Sequence, residues 1–116
     1  MTVKRIVANV ATDRLDAAKG FYGDVLGMSL EMDHGWIITF VGAGQSPPQL
    51  SFAVEGGSGT PLPDLSIEVD DLASVYDRVL AAGYRPEYGP VDEPWGVRRF
   101  FVREIFGRLL NILAHR

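Results

Sequence analysis

Residues Thr12–Met28 read "TDRLDAAKGFYGDVLGM", and their apolar side chains are spaced as in a helix. Leu15, Ala18, Tyr22, Val25 and Leu26 fall on one face, Asp13 stands where a side chain can cap the start, and Gly27 stops the segment. Upstream, "VKRIVANVA" alternates as a strand does; downstream, "SLEMD" and "WIITFV" read as strands joined by a tight turn at "HG". After the loop "GAGQSPP" a fourth strand, "QLSFAV", completes the set. The stretch "EGGSGTPLP" offers a core almost nothing and reads as a linker. Beyond it the order restarts: "DLSIEV" is a strand, Asp70 and Asp71 offer a cap, Leu72, Val75, Tyr76, Val79 and Leu80 form a helical face, and Gly83 ends it. Asp13 and Asp70 are 57 residues apart, Leu15 and Leu72 are 57 apart, and Gly27 and Gly83 are 56 apart. A near-constant offset marks a duplication. With "RPEYGPV", "VRRFFV" and "LLNILA" as the remaining strands, each half is a βαβββ module.

The predicted fold class is α+β: two such modules form a curved, mostly antiparallel sheet with helices outside and a concave cavity. Residues 1–116 form one domain, with module one at 1–55, a linker at 56–63 and module two at 64–116. A helix covers one face of its sheet, so strand residues of one parity should be apolar. Ile6, Ala8 and Val10, then Leu50, Phe52 and Val54, then Leu65, Ile67 and Val69, take that side, as do Phe100, Val102, Leu110 and Ile112. The opposite parity brings Asn9, Ser51, Asp64, Ser66, Glu68, Arg99, Phe101 and Asn111 onto a second face, a natural lining for a ligand pocket.

Composition narrows the functional classes. The chain has 116 residues, 47% of them apolar, which suffices for one globular core, and its net charge of −4 disfavours a nucleic-acid partner. It has no cysteine, so disulfides, thiolate metal sites and cysteine nucleophiles are excluded. The N-terminal apolar run reaches Asp13 too soon for a signal peptide and no later stretch has membrane-spanning length, so a cytoplasmic protein without a membrane partner is expected. His34 falls in a hairpin and His115 next to the chain end, so neither nucleates a Ser-His-Asp arrangement. The glycine segments lack the lysine of a phosphate-binding loop.

"FYGDVLG", the repeated strand-helix-glycine unit, and "FGRLLNIL" near the end together resemble the vicinal oxygen chelate superfamily, which includes glyoxalases, extradiol dioxygenases and bleomycin-resistance proteins. The turn before the last strand departs from that pattern, with Glu104 and Ile105 where Asp-Pro is usual. The resemblance implies a homodimer. It also implies metal donors at Val7, Ser51, Asp64 and Asn111, of which only Asp64 carries a charge. Valine has no lone pair, and a neutral amide is a poor replacement for a carboxylate.

The expected function is therefore small-molecule binding of the bleomycin-resistance type. No cofactor is expected, and a divalent metal is the lesser alternative. Asn9, Ser51, Asp64, Ser66, Glu68, Trp95, Arg99, Phe101 and Asn111 are the candidate ligand contacts: Arg99 for its planar fork, Phe101 for stacking, and Trp95 as a lid. The alternative is a lyase, isomerase or dioxygenase of the same superfamily, metal-dependent or metal-free, with Glu68 or Asp64 as the acid/base group. A third alternative is a module that serves self-association.

Overall fold

The computed structural model describes residues 1–116. In chain order the elements are β1 (Val3–Ala11), α1 (Leu15–Ala18) running into a π-helical segment (Lys19–Val25), β2 (Ser29–Asp33), β3 (Ile37–Val41) and β4 (Gln49–Ala53). Then follow β5 (Leu65–Val69), α2 (Leu72–Ala81), β6 (Pro86–Glu93), β7 (Val97–Arg103) and β8 (Leu109–His115). The βαβββ order thus occurs twice, in an α+β architecture of mixed sheet and flanking helices. No helix is long and apolar enough to cross a membrane.

The chain divides into two compact units, residues 7–62 and residues 63–116 together with residues 1–6. In the first, the strand order is β2-β3-β4-β1, with β1 parallel to β4 and the other pairs antiparallel. Ala18 packs with Ile38, Phe40 and Phe52, and Leu15, Tyr22, Met28 and Leu50 close around them. Tyr22 lies 4.7 Å from the Phe52 ring, centroid to centroid.

Two expectations change here. Val25 and Leu26 are 68% and 55% exposed, because the helix widens to π geometry at Lys19 and the extra residue per turn rotates them off the core face. The Leu26 N–H donates to Phe21 O, five residues back. Ile6, Ala8 and Val10 are exposed on the side assigned to the helix, while Val7 is buried on the other. The short helical segment covers residues of β3 and β4, so no side chain of β1 enters this core.

In the second unit the order is β5-β8-β7-β6, with β5 parallel to β8 and the others antiparallel. Val69, Leu72, Phe100, Val102 and Ile112 are its buried core, and Val75, Tyr76 and Val79 bring α2 onto it. Leu80 lies outside it, 45% exposed. Burying a phenyl ring as completely as Phe100 is contributes roughly 1.5–3 kcal/mol.

The two helices start differently. Asp71 caps α2, its carboxylate accepting from the Ser74 N–H at 3.1 Å, and that bond holds its pKa below the ordinary range. At α1 the capping position is Arg14, with no side-chain cap, so Asp13 does not play the expected role. Gly27 and Gly83 do end their helices, at φ of 72° and 90°. The segment read as a linker is an ordered loop: Gly56 N–H donates to Thr60 O and Thr60 N–H to Gly57 O. A Cβ on Gly56 would lie 2.0 Å from the Pro61 carbonyl oxygen, so only glycine fits.

Candidate functional site

The strand faces turned away from the helices carry the predicted site residues that lie on strands; Asp64 precedes β5 and Trp95 lies between β6 and β7. In the unit of residues 7–62, Asn9 lies opposite Ser51 on β4, and Ser51 lies opposite Thr39 on β3. Ser51 and Thr39 are both buried and their hydroxyls are 2.7 Å apart. The Ser51 oxygen is therefore engaged in a tie between neighbouring strands. Thr39 was not among the expected residues; the alternation of "WIITFV" hid it, since a lone threonine is an ordinary strand residue.

The second unit holds the remaining candidates, and its most buried charges are Arg99 and Glu93. Arg99 is 2% exposed; its Nε donates to Glu93 Oε2 at 2.6 Å, and its Nη2 lies 2.5 Å from the same oxygen. The Tyr88 hydroxyl donates to that oxygen as well, at 3.0 Å. Three rings surround the guanidinium, its Cζ lying 4.7 Å from the Phe101 centroid, 4.9 Å from Trp95 and 5.4 Å from Tyr88. A guanidinium tolerates such burial because its charge is matched by one carboxylate and spread over π faces. Trp95 occupies the hairpin turn between β6 and β7.

Glu93 and Tyr88 were not among the expected residues: β6 runs on through Asp92 and Glu93, past the end of the stretch "RPEYGPV" read as its strand, and Tyr88 stood there as an ordinary strand aromatic. A bulge between Tyr88 and Val91 resets the alternation at a cis Gly89-Pro90 bond. Gly89 is pressed so close to β7 that a Cβ there would lie 2.5 Å from the Arg99 carbonyl oxygen.

Asn111 and Ser66 do come together. They are register partners on β8 and β5, and the Asn111 Nδ2 donates to Ser66 Oγ at 3.1 Å. Asn111 is 8% exposed, and its Oδ1 is buried without a hydrogen-bond partner in the protein. Leaving such an acceptor unmatched costs about 1–3 kcal/mol. Asp64 is exposed and turned to the backbone: its Oδ2 accepts from the Leu109 N–H at 3.0 Å.

Glu68 is the hub of a separate cluster. Arg5 Nε is 2.8 Å from its Oε1, and His115 Nδ1 is 2.6 Å from its Oε2, with Lys4 Nζ at 3.8 Å. Burial raises the Glu68 pKa, but the His115 hydrogen bond and the charges of Arg5, His115 and Lys4 outweigh it and hold the carboxyl below its ordinary value. A carboxylate stabilised in this way is a weaker proton acceptor. His115, next to the chain end, closes β8 opposite Val97. An open groove of about 680 Å³ lies elsewhere, at the start of α1 by Asp13, Leu15, Asp16 and Val54, and includes none of the predicted residues.

A family model described as the Glyoxalase/Bleomycin resistance protein/Dioxygenase superfamily matches residues 3–112. The chain belongs to this superfamily. Solved structures agree in fold. A Legionella pneumophila protein described as an NAD-dependent benzaldehyde dehydrogenase superposes with a TM-score of 0.74 at 12% identity, covering 97% of this chain and 100% of its own. Methylmalonyl-CoA epimerase from Mycobacterium tuberculosis superposes with a TM-score of 0.67 at 22% identity, covering 98% and 89%. A superfamily member from Vibrio splendidus gives 0.63 at 18% identity, covering 97% and 99%. Comparison with curated proteins finds no match.

The superfamily's metal enzymes prompt a test of the donor set. Val7 has no donor atom, the Ser51 hydroxyl is paired with Thr39, an Asp64 oxygen holds a backbone amide, and Asn111 is neutral. No group of three or more His, Cys, Asp or Glu side chains is placed to hold a metal ion.

Proposed function

We propose that this superfamily member binds a small organic molecule, as the bleomycin-resistance type does, and does so without a divalent cation. The observation that carries the reading is the state of the four positions to which the resemblance assigns metal donors. One is aliphatic, two are tied to neighbouring strands through Thr39 and the Leu109 amide, and the fourth is an amide bonded to Ser66. These residues do not fit a divalent cation, which needs several anionic or imidazole donors. The depressed pKa of Glu68 weighs against its use as a general base in a metal-free enzyme.

The site proposed is the face of β5, β8 and β7 turned away from α2, with Ser66, Asn111 and Phe101 as contacts and Arg99 as a fixed, paired charge behind them. The test combines elemental analysis after dialysis against zinc, nickel and iron with a thermal-shift screen of planar organic compounds. The expected result is metal-free protein whose melting temperature rises with some of them. Stoichiometric retained metal, or no shift across a broad library, would refute the reading.

A homodimer belongs to the same proposal. Its support is the exposed apolar side of β1, where Ile6 is 56% and Val10 41% exposed. Light scattering is expected to report twice the mass of one chain, and Ile6→Asp to halve it.

A further inference from the structure

We propose that the molecule bound by this protein presents a neutral hydrogen-bond donor, a hydroxyl or amide N–H, to Asn111 Oδ1. The proposal rests on the small-molecule binding reading above and names the chemistry of the ligand at that site. Asn111 lies between Ser66 of β5 and Phe101 of β7, on the face opposite Leu110 and Ile112, which pack with the α2 core. Its amide has two ends with different fates. Nδ2 is used, donating to Ser66 Oγ at 3.1 Å, while Oδ1 is buried and has no partner in the protein.

The same parity of β8 places Leu109 and Leu113 on either side of it, both buried, and Phe101 opposite is 1% exposed. The Phe101 ring in turn lies 5.0 Å from that of Tyr88. An acceptor held among leucines and aromatic rings discriminates sharply by charge and polarity. An anion meets the lone pairs of the carbonyl oxygen and is repelled. A cation loses its hydration and finds no available carboxylate, since Glu93 is taken by Arg99 and Tyr88, and Glu68 by Arg5 and His115. A neutral donor on an apolar, flat skeleton satisfies Oδ1 and lies against the rings. Oδ1 is closed from solvent by its neighbours, so a ligand that pairs with it has to displace the side chains covering it.

The experiment uses matched probes: 2-naphthol, 2-methoxynaphthalene, which keeps the ring but not the donor, and 2-naphthoate, which adds a negative charge. Affinities are measured by calorimetry on the full chain and on Asn111→Leu and Asn111→Ala, whose folding is checked by melting. The expected result is about tenfold or tighter binding of naphthol over its methyl ether in the unaltered chain. In both variants that preference collapses, and naphthoate is the weakest ligand of the unaltered chain. Equal binding of naphthol and the ether by the unaltered chain, or a preference surviving in the variants, overturns the donor proposal and leaves the binding reading standing. Failure of these probes and of the wider library to bind overturns both.

Discussion

In the unit of residues 7–62, the row crossing β1, β4 and β3 is Asn9, Ser51 and Thr39; in the other unit, the corresponding row across β5, β8, β7 and β6 is Ser66, Asn111, Phe101 and Tyr88. The strand order is the same in both, and so is the pattern of one parallel and two antiparallel pairings. The chemistry is not. The first row closes on a neutral hydroxyl pair, Thr39 with Ser51, whereas the second leads to rings packed on a guanidinium that is 2% exposed. The backbone pairing of a βαβββ module therefore leaves the far face open to different uses, and only the second module puts a buried ion pair there.

The largest test of that contrast is to break the pair. Replacing one partner, Glu93→Gln or Arg99→Met, leaves the other buried and uncompensated and should cost roughly 3–5 kcal/mol in urea denaturation. Replacing both together with apolar residues should recover much of the loss. A single-variant cost near zero would mean that the two modules are alike in what they bury. In the first module, Thr39→Val leaves the Ser51 hydroxyl unmatched and should cost about 1–3 kcal/mol, with Ser51→Ala in the same chain restoring part of it.

A smaller difference is set by pH. Glu68 has a folded-state pKa below its unfolded value, so its contribution to stability is complete above the unfolded value and is lost as pH falls through the folded one. Glu68→Gln should flatten the acid limb of melting temperature against pH; an unchanged limb would remove the His115, Arg5 and Lys4 cluster as a source of stability. The smallest effect separates the two helix starts. Asp71→Ala should lower the melting temperature slightly, and Asp13→Ala should leave it unchanged.

Much of the fold was legible because its signals are local. "VKRIVANVA" and "SLEMD" coincide with β1 and β2, and Gly27 and Gly83 stand where the helices stop. The exposed side of β1 was not legible: alternation says that Ile6 and Val10 share a face, but not whether a helix is long enough to cover it. The candidate site divides the same way. Asn111 and Ser66, placed on one face by parity, do meet. Arg99 pairs with Glu93, a partner that alternation alone does not reveal, because the bulge at Gly89-Pro90 and the tight Trp95 turn set the register of β6 beside β7.

By itself, the sequence determined the duplicated order of elements and the chemical nature of the donors at positions 7, 51, 64 and 111. Periodicity and covalent structure are properties of each residue and its near neighbours. Tertiary structure alone decided which polar groups are buried and what they touch: Ser51 with Thr39, Arg99 with Glu93, Glu68 with Arg5 and His115, and Asn111 with one end of its amide unmatched. Those pairings depend on register, bulges and coverage between strands distant in sequence, and a change of one residue in register would turn each side chain to the other face.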